Sequence, residues 1–514
     1  MFLLSLFACT TEVTEYVTEK VYVEDTAVET DPDFDGFVDD DCGPTNGAIN
    51  PDATDVAGDG IDQNCDGVDG TDTDLDGVAS TASGGDDCDD ADADVMPGAS
   101  DVDADGIDQD CDGNDGPILP TFVGDLTLGN DADEAWFCTQ YSAVLGSLTV
   151  TAMDDASSLS CLRSVSANFT LTSAADSIDL PVLQSVGGEF SLYLAAPIVE
   201  LPALESVGGS FYAPNALTTS EYHLASLTTV GGYVLIYSWE PTALHVVDMP
   251  VLTEAGGVES YMDTQGGSYN LPMLTTVTGS VTIGMTFTDV EEGAEPERAT
   301  ANFSSLTTVG GSFQYYDMGY WGDSPTDADF GSLASVAYFT VASLEDIEFP
   351  ALASVTGDVS AGGPGIVSLP ALVSPVEGIY ADGTGGLSAP MIPSCTDVYV
   401  SGSYSVEYDG YDWIYTYFPG PAVLDLGTLS TASSVYIGGA ALADLSGLDR
   451  LTSVASYIYI DSNTSLADIS ALYGLETVGA FYAFYNEPVT NADFQALVDS
   501  IPTVGETVIE GNAE

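Results

Sequence analysis

Apolar and polar residues recur along this chain at a short, regular spacing. The sequence LPVLQSVGGEF at residues 180–190 is followed 21 positions later by LPALESVGGSF at residues 201–211. In each copy an apolar residue precedes glycine, and the next stretch alternates apolar and polar residues, as half-buried strands do. A fixed period of this length predicts one supersecondary unit per copy, which buries its apolar face only by stacking on its neighbours.

The apolar residue that marks each unit recurs through most of the chain after residue 120. It is found at Val144, Val165, Val186, Val207, Val230, Val277, Val309, Val355, Val454 and Val478, with degenerate copies near Ala255, Val336, Val376, Cys395 and Ser434. Because Pro and Gly lie at the corners and no helical stripe is present, each unit is expected to be a coil of strands and turns. The sequence therefore predicts a mainly β fold, a parallel right-handed β-solenoid of about fifteen coils over residues 121–489.

The two ends of this solenoid carry different signals. Cys138 and Cys161 lie on the first coils and are predicted to form a disulfide there. At the other end, Thr490 and Asp493 have the spacing of a capping box. The residues after the box form one apolar helical stripe, namely Phe494, Leu497, Val498 and Ile501. Residues 490–514 are therefore predicted to be a capping helix and strand that cover the open edge of the last coil.

The repeating pattern L-x-x-L-x-S-V-x-G-x-L-x-I resembles the L-domains of insulin and epidermal growth factor receptors and their bacterial relatives. The closest stretches are LDRLTSV at residues 448–454 and YIYI at residues 457–460, followed by Asn463. The resemblance implies a parallel solenoid of strands, and in those receptors such domains bind protein ligands. Within the chain's own repeats, Cys395 aligns with the core valine of the other coils, so this cysteine is expected to be a buried free thiol.

Composition changes abruptly before the solenoid. Residues 31–116 contain 28 Asp and no Glu, Lys or Arg, so folding is expected to require bound cations. Alternate aspartates followed by glycine begin two similar segments, DPDFDG at 31–36 and DTDLDG at 72–77. Short carboxylates in this pattern converge on one hard cation, which predicts calcium as the cofactor. The predicted ligands are Asp31, Asp33, Asp35, Asp39, Asp41, Asp59, Asp62, Asp66, Asp72, Asp74, Asp76, Asp86, Asp87, Asp105, Asp108 and Asp112, with Asp86 or Asp87 replacing Asp39 in the second segment.

These segments resemble the calcium loops of thrombospondin type 3 repeats. Residues 31–116 as a whole resemble the metal-binding motif repeated in bacterial surface proteins, including a methanotroph copper-binding one, through DCDD at 87–90, PGA at 97–99 and DGIDQDCDG at 105–113. Many such motifs have a middle cysteine, but here those positions hold Ala57 and Asp103. The resemblance therefore implies the disulfides Cys42–Cys65 and Cys88–Cys111, which suit an oxidising compartment. Copper is disfavoured because the two histidines, His223 and His245, lie outside the segment.

The N-terminus predicts an anchor. Residues 1–9 are apolar and end in LFAC, which resembles a bacterial lipobox, and this resemblance implies lipidation of Cys9. Residues 10–30 alternate Thr, Glu and Val and are predicted to be an extended tether. The expected location is the bacterial outer membrane or cell surface, otherwise the periplasm or the medium. Four basic and 82 acidic residues give a net charge of -78, which excludes nucleic-acid partners and favours divalent cations.

An aromatic insertion at residues 404–418 is the predicted interaction site of the solenoid. Its candidate ligand-binding residues are Tyr408, Tyr411, Trp413 and Tyr415, for a protein or glycan ligand. The alternative is that these tyrosines pack on neighbouring coils. The sequence favours a non-enzymatic, calcium-binding lipoprotein that presents its solenoid for interaction or adhesion. A metal-sequestering protein with the solenoid as a stalk is the second hypothesis, and a β-helix glycosidase is the third.

Overall fold

The computed structural model describes residues 31–38, 41–56, 60–99, 107–111, 119–153, 159–173, 177–194, 198–214, 220–238, 245–263, 267–286, 299–316, 326–382, 385–408, 413–418 and 420–513. The chain divides into two compact units. One comprises Met1–Val102 and Ile107–Asn114, and is called the aspartate module below. The other comprises Asp103–Gly106 and Asp115–Glu514, and is called the solenoid.

Strands account for most of the solenoid. In chain order the elements are β1 (Thr121–Val123), β2 (Leu126–Leu128), α1 (Asp131–Cys138), β3 (Ala143–Leu145), β4 (Leu148–Met153), β5 (Ser164–Val165), β6 (Phe169–Ser173), β7 (Ser177–Asp179), β8 (Ser185–Val186), β9 (Phe190–Leu194), β10 (Ile198–Glu200), β11 (Ser206–Val207), β12 (Phe211–Pro214), β13 (Ser220–His223), β14 (Thr229–Ser238), β15 (His245–Asp248), β16 (Glu254–Asp263), β17 (Ser268–Asn270), β18 (Thr276–Val277), β19 (Val281–Thr286), β20 (Ala299–Asn302), β21 (Thr308–Tyr316), β22 (Thr326–Asp329), β23 (Ser335–Ala342), β24 (Ile347–Glu348), β25 (Ser354–Val355), β26 (Val359–Gly362), β27 (Ile366–Ser368), β28 (Val376–Asp382), β29 (Gly386–Ser388), β30 (Cys395–Ser401), β31 (Ser403–Tyr408), β32 (Trp413–Phe418), β33 (Val423–Asp425), β34 (Thr431–Gly438), β35 (Ser453–Asp461), β36 (Thr477–Phe484), α2 (Asn491–Ser500) and β37 (Thr503–Glu510).

The repeated valine of the sequence forms a continuous ladder along the solenoid. Val144, Val165, Val186 and Val207 are successive partners in parallel pairings, and each is buried. The mainly β fold and the parallel β-solenoid are confirmed, with about fourteen turns. One position of the predicted marker was wrong. Ala432, not Ser434, is opposite Val454, because the register between β34 and β35 shifts at this point.

The second wall of the coil consists of shorter parallel sheets. The strands β7, β10, β13, β15, β17, β20 and β22 form a seven-stranded sheet, and β24, β27, β29 and β33 form a four-stranded one. The L-P-x-L segment forms the corner between the walls, where the Leu183 N–H donates to the Leu180 carbonyl over 3.3 Å. Both leucines are fully buried, so the corner contributes to the same core as the strands.

Helix α1 lies in the first coil of the solenoid and helix α2 in the last, and only α2 was predicted. At the C-terminus, Thr490 and Asp493 form the expected capping box, and helix α2 buries Phe494, Leu497 and Val498. Helix α1 at the N-terminal end was not predicted, because its eight residues carry no long apolar stripe. The Cys138–Cys161 disulfide links this helix to the coil that follows. Among the described residues, no helix is long and apolar enough to cross a membrane.

Polar side chains also stack between coils near the C-terminus. Asn463 donates through Nδ2 to Asn486 Oδ1 over 2.8 Å, and Asn486 donates in turn to Asn512 Oδ1 over 2.9 Å. The same amide groups also donate to the carbonyls of Ile437 and Ile460, both over 2.9 Å. The ladder therefore satisfies its own buried amide groups and gives a hydrogen-bond donor to carbonyls near the ends of β34 and β35.

The aspartate module is built mainly from turns. Its described residues contain one short 3-10 turn, Thr81–Ser83, and one isolated bridge between Ser80 and Asp87. Disulfides join Cys42 to Cys65 and Cys88 to Cys111, as the resemblance implied. Most of its fixed conformation therefore depends on side chains that bond to backbone groups.

Candidate metal sites

The first alternate-aspartate segment folds into a carboxylate-lined loop. Asp31 fixes the turn, since its two oxygens accept the N–H groups of Phe34 and Gly36 over 2.7 and 3.0 Å. Gly36 has a φ of 101°, a left-handed conformation that glycine adopts without steric cost. Oxygens of Asp31, Asp33 and Asp35 lie within 4.8 Å of one another. The loop therefore gathers three carboxylates into the space that one cation would occupy.

The second segment repeats this geometry. Asp72 accepts the N–H groups of Leu75 and Gly77 over 2.7 and 2.9 Å. Oxygens of Asp72, Asp74 and Asp76 again lie within 4.8 Å of one another. The equivalent hydrogen bonds in two sequence copies show that the D-x-D-x-D-G pattern determines the loop.

Asp87 lies close enough to the second loop for its charge to repel those of Asp74 and Asp76. Its side chain is fully buried, and its backbone is held by hydrogen bonds to Ala79 and Thr81 across the short bridge. Its Oδ1 accepts the Asp89 N–H over 2.9 Å, whereas its Oδ2 has no hydrogen-bond partner among the described residues. Asp86, the other candidate for this position, is exposed. Asp41 holds the matching position before Cys42 in the first copy, and its Oδ2 likewise lacks a described partner.

A third cluster contains a residue that the sequence analysis missed. Asp55, Asp62 and Asp66 bring oxygens within 4.8 Å of one another. Asp55 is buried and accepts the Gly70 N–H over 2.9 Å, and Asp66 accepts the Asp72 N–H over 2.8 Å. The sequence repeat could have identified Asp55 as a candidate ligand. Asp101 lies 46 residues after Asp55, which is the offset between the predicted pairs Asp62/Asp108 and Asp66/Asp112.

The electrostatics of the loops reflect carboxylates crowded without a counter-charge. Desolvation, and then repulsion by Asp35 and Asp41, raises the pKa of Asp33. Desolvation is also the largest cause that raises the pKa of Asp74 and of Asp87. Desolvation acts to raise the pKa of Asp31, but hydrogen bonds from the Gly36 and Phe34 N–H groups stabilise its charge. The pKa of Asp31 is therefore lowered. A cation in each loop would offset the repulsion that, after desolvation, contributes to these raised pKa values.

The free donor atoms are all hard oxygens. Among the described residues of the aspartate module, buried carboxylate oxygens without a described hydrogen-bond partner belong to Asp33, Asp35, Asp41, Asp62, Asp74, Asp76 and Asp87. Residues 31–116 contain no histidine, and the cysteines of this stretch are all in disulfides. Copper prefers imidazole or sulfur ligands, so this donor set does not fit copper. It fits calcium or another hard divalent cation.

The remaining predicted site residues are only partly described. Cys9, Asp39, Asp59, Asp105, Asp112 and Tyr411 lie outside the described residues. Asp108 is described, and its carbonyl lies 3.4 Å from Cys88 Sγ. Cys395 is a buried free cysteine opposite Val376, as expected, and burial raises its pKa to about 12.

The predicted aromatic insertion forms a separate β-hairpin. Strands β31 and β32 pair antiparallel, with Tyr408 opposite Trp413 and Val406 opposite Tyr415. The hairpin begins two residues after β30 ends. It therefore leaves the coil as an insertion, and its role in ligand binding stays a prediction.

Two segments of the chain match a known family model. Residues 41–70 and 87–116 match the family model Cu-binding_MopE, which is described as "Putative metal-binding motif". The loops at residues 31–36 and 72–77 lie outside both matched segments. No curated protein is significantly similar to the chain. The chain thus combines two copies of a metal-binding motif with a β-solenoid, as expected of a metal-binding surface-type protein.

Proposed function

We propose that this chain is a calcium-binding, lipid-anchored surface protein of a bacterium. In this proposal the aspartate module binds calcium, and the solenoid presents an elongated surface to a protein or glycan ligand. Cys9 carries the lipid that holds the chain at the outer membrane or cell surface. The chain is not an enzyme, and its aromatic hairpin contributes to ligand binding.

The buried carboxylate of Asp87 is the observation that carries the calcium proposal. Burying an ionised carboxylate without a partner is costly, so such groups are normally paired or coordinate a metal. Asp87 is fully buried, and its charge repels that of Asp74 in the same loop. Residues 31–116 contain no Lys or Arg, so no basic side chain of this stretch offsets the repulsion. A divalent cation bound to Asp72, Asp74, Asp76 and Asp87 supplies the missing charge.

Calorimetry on the full chain tests this proposal. Calcium is expected to bind the wild-type chain, and Asp87→Asn is expected to weaken one class of site by about tenfold or more, because a charged ligand is lost. Asp94→Asn is the matched control, since Asp94 is an exposed aspartate of the same module. It should bind calcium as the wild type does. The absence of a calcium heat, or equal losses in both variants, would rule out the assigned site.

A metal-sequestering protein is the second candidate, and the family match favours it. In that case metal uptake is the function, and the solenoid is a stalk. The double variant Asp74→Asn/Asp87→Asn separates the two hypotheses in whole cells. Under the first hypothesis the variant keeps its attachment to glycans or envelope proteins, because the solenoid carries that attachment. Under the second hypothesis the variant loses metal uptake. Competition between calcium and copper(II) in the same titrations identifies the preferred ion.

A further inference from the structure

The two disulfides of the aspartate module have the same placement beside the candidate ligands. Cys42 directly follows Asp41, and Cys88 directly follows Asp87. Both carboxylates have a buried Oδ2 without a hydrogen-bond partner among the described residues. Each disulfide is therefore attached to the backbone of a residue whose side-chain oxygen is available to a cation.

The other cysteine of each disulfide lies within a further aspartate turn. Cys65 is part of the sequence DQNCDG, and Cys111 is part of the sequence DQDCDG. In the first turn the Asp62 carboxylate accepts the Gly67 N–H over 3.0 Å, as the first aspartate of each carboxylate loop does with its own glycine. Cys65 and Cys111 have φ values of 63° and 55°, a left-handed conformation that cysteine keeps only where its surroundings impose it. Reduction would therefore release a cation ligand and a neighbouring turn together.

Little else in the module holds these ligands in place. Among its described residues, the buried apolar side chains are those of Ala79 and Val95, so apolar burial contributes little. The backbone of Asp87 is next to one isolated bridge, and the following N–H, of Cys88, donates to the sulfur of its disulfide partner over 3.1 Å. Without the disulfide, the ligands would have to be ordered by the cation itself, which lowers its affinity.

The disulfides of the module are accessible, whereas the disulfide of the solenoid is not. Cys42 and Cys88 are exposed. In the solenoid, Cys161 is 5 % exposed and belongs to the apolar core, and Cys138 packs against that core. Thiol–disulfide exchange requires a thiolate to reach a sulfur atom, so a reductant in solution should attack the module first.

We propose that the Cys42–Cys65 and Cys88–Cys111 disulfides are a redox switch on the cation sites. This inference rests on the proposed calcium sites. One thiolate of a dithiol reductant attacks a protein sulfur and forms a mixed disulfide, and the second thiol then displaces the other half of the reductant from it. The reductant becomes a cyclic disulfide, and its two electrons and two protons pass to the two cysteines. The reduced module releases calcium, and exchange with an oxidised dithiol restores the sites.

Calcium binding and reduction must affect each other by the same factor. If reduction lowers the calcium affinity, calcium stabilises the disulfide against reduction to the same extent. Because calcium binds the oxidised form more tightly, it makes the reduction potential of the disulfide more negative. A tenfold difference in affinity corresponds to about 30 mV for this two-electron couple.

Equilibration of the full chain with mixtures of reduced and oxidised dithiothreitol tests the inference. The mixtures contain calcium or a chelator, and alkylation with mass spectrometry then measures each disulfide separately. We expect calcium to raise the ratio of reduced to oxidised reagent at half reduction of the module disulfides by about tenfold. The Cys138–Cys161 disulfide is the internal control, and its ratio should not change. No effect of calcium on the module disulfides, or an equal effect on all three, would overturn the inference.

Calorimetry measures the same coupling through the cation. Cys88→Ser/Cys111→Ser should weaken calcium binding about tenfold, whereas Cys138→Ser/Cys161→Ser should leave it unchanged. The exchange experiment needs no substitution, so it decides the question even if a serine variant fails to fold. Equal calcium affinity in the wild type and Cys88→Ser/Cys111→Ser, or equal weakening in both variants, would overturn the switch while leaving the calcium sites intact. A wild-type chain that binds no calcium would remove both proposals.

Discussion

The two units of this chain satisfy the same backbone requirements in different ways. In the solenoid, N–H groups donate to carbonyls of the next coil, and side chains such as Phe190 are fully buried. In the aspartate module, N–H groups of Phe34, Gly36 and Leu75 donate to carboxylates, and large apolar side chains are exposed. Burial of apolar surface stabilises the solenoid, whereas the module depends on charge neutralisation and disulfides. The two units should therefore respond to different perturbations.

Removal of divalent cations should produce the largest difference between the units. With a chelator, the carboxylates of the module repel one another without a counter-charge, so residues 60–99 should lose nearly all protection from hydrogen exchange. Protection in β14 and β16 should not change, because apolar contacts and coil-to-coil hydrogen bonds hold them. Hydrogen exchange with mass spectrometry on the intact, disulfide-bonded chain measures both regions in one experiment.

Calcium added back after chelation is the control for this experiment, and it should restore protection in the module. Equal loss of protection in both units would show that the solenoid also depends on cations. Unchanged protection in the module would mean that its disulfides fix its fold without bound cations. The two units would then not differ in their dependence on divalent cations.

A cavity in the solenoid core should destabilise the solenoid and leave the aspartate module unchanged. Phe313 is fully buried, and its ring centroid lies 5.0 Å from that of Phe330 and 5.8 Å from that of Phe339. Phe313→Ala should lower the free energy of unfolding of the solenoid by about 3–5 kcal/mol, since it loses buried area and leaves a cavity. Chemical denaturation measures this loss, and calcium affinity should be unchanged.

Tyr338→Ala is the matched control for the cavity, because Tyr338 is an aromatic residue on the neighbouring strand and is 46 % exposed. It should cost much less than Phe313→Ala. Similar losses in both variants would indicate that the stacked surface of the solenoid, and not its interior, carries the stability.

The comparison also explains what the sequence could predict. In the solenoid, each buried position recurs about every 21 residues, so a single pattern such as Val186 and Val207 predicted strands, register and core together. Ser434 was misplaced because a local register shift leaves no mark on residue type. Helix α1 was missed because its only clear local signal is a single N-cap, Asn130, which accepts the N–H groups of Ala132 and Asp133.

In the aspartate module, the local loops were predictable and the assembly of distant residues was not. The D-x-D-x-D-G pattern alone brings Asp72, Asp74 and Asp76 together, because the loop closes within six residues. Asp55 joins Asp62 only through the fold of the intervening chain, so residue spacing gave no direct evidence for this contact. Asp87 and Asp86 are equally acidic neighbours, and only the bridge to Ser80 decides which one is buried.

The asparagine ladder allows a smaller test of how the solenoid depends on buried polar groups. Asn486 is fully buried, and Asn486→Ala removes its side-chain hydrogen bonds to Ile460 and Asn512 and one of the two acceptors of the Asn463 amide. The expected loss in the free energy of unfolding is about 1–3 kcal/mol, from buried groups left unsatisfied. Ser456→Ala, at an exposed position of β35, should have little effect. No difference between the two variants would mean that water replaces the ladder.

The smallest expected effect concerns the cap on the last coil. The Thr490 side chain accepts the Asp493 N–H over 3.1 Å, and the Asp493 carboxylate accepts the Thr490 N–H over 3.0 Å. Thr490→Ala removes the N-cap and should cost about 1 kcal/mol in thermal or chemical unfolding. Thr490→Ser keeps the hydroxyl group and should retain most of the stability, which separates the cap from side-chain size.

The pH dependence of that loss distinguishes a capping box from a simple N-cap. Hydrogen bonds from the Thr490 side chain and backbone lower the pKa of Asp493, so its stabilising contribution is present above its unfolded pKa and is lost as the pH falls through the folded value. In Thr490→Ala the pKa of Asp493 should rise toward its ordinary value, which NMR titration measures. The stability difference between the two chains should accordingly be larger at neutral pH than at low pH. A pH-independent difference would assign the whole effect to the threonine hydroxyl, and the box would then contribute nothing beyond a single cap.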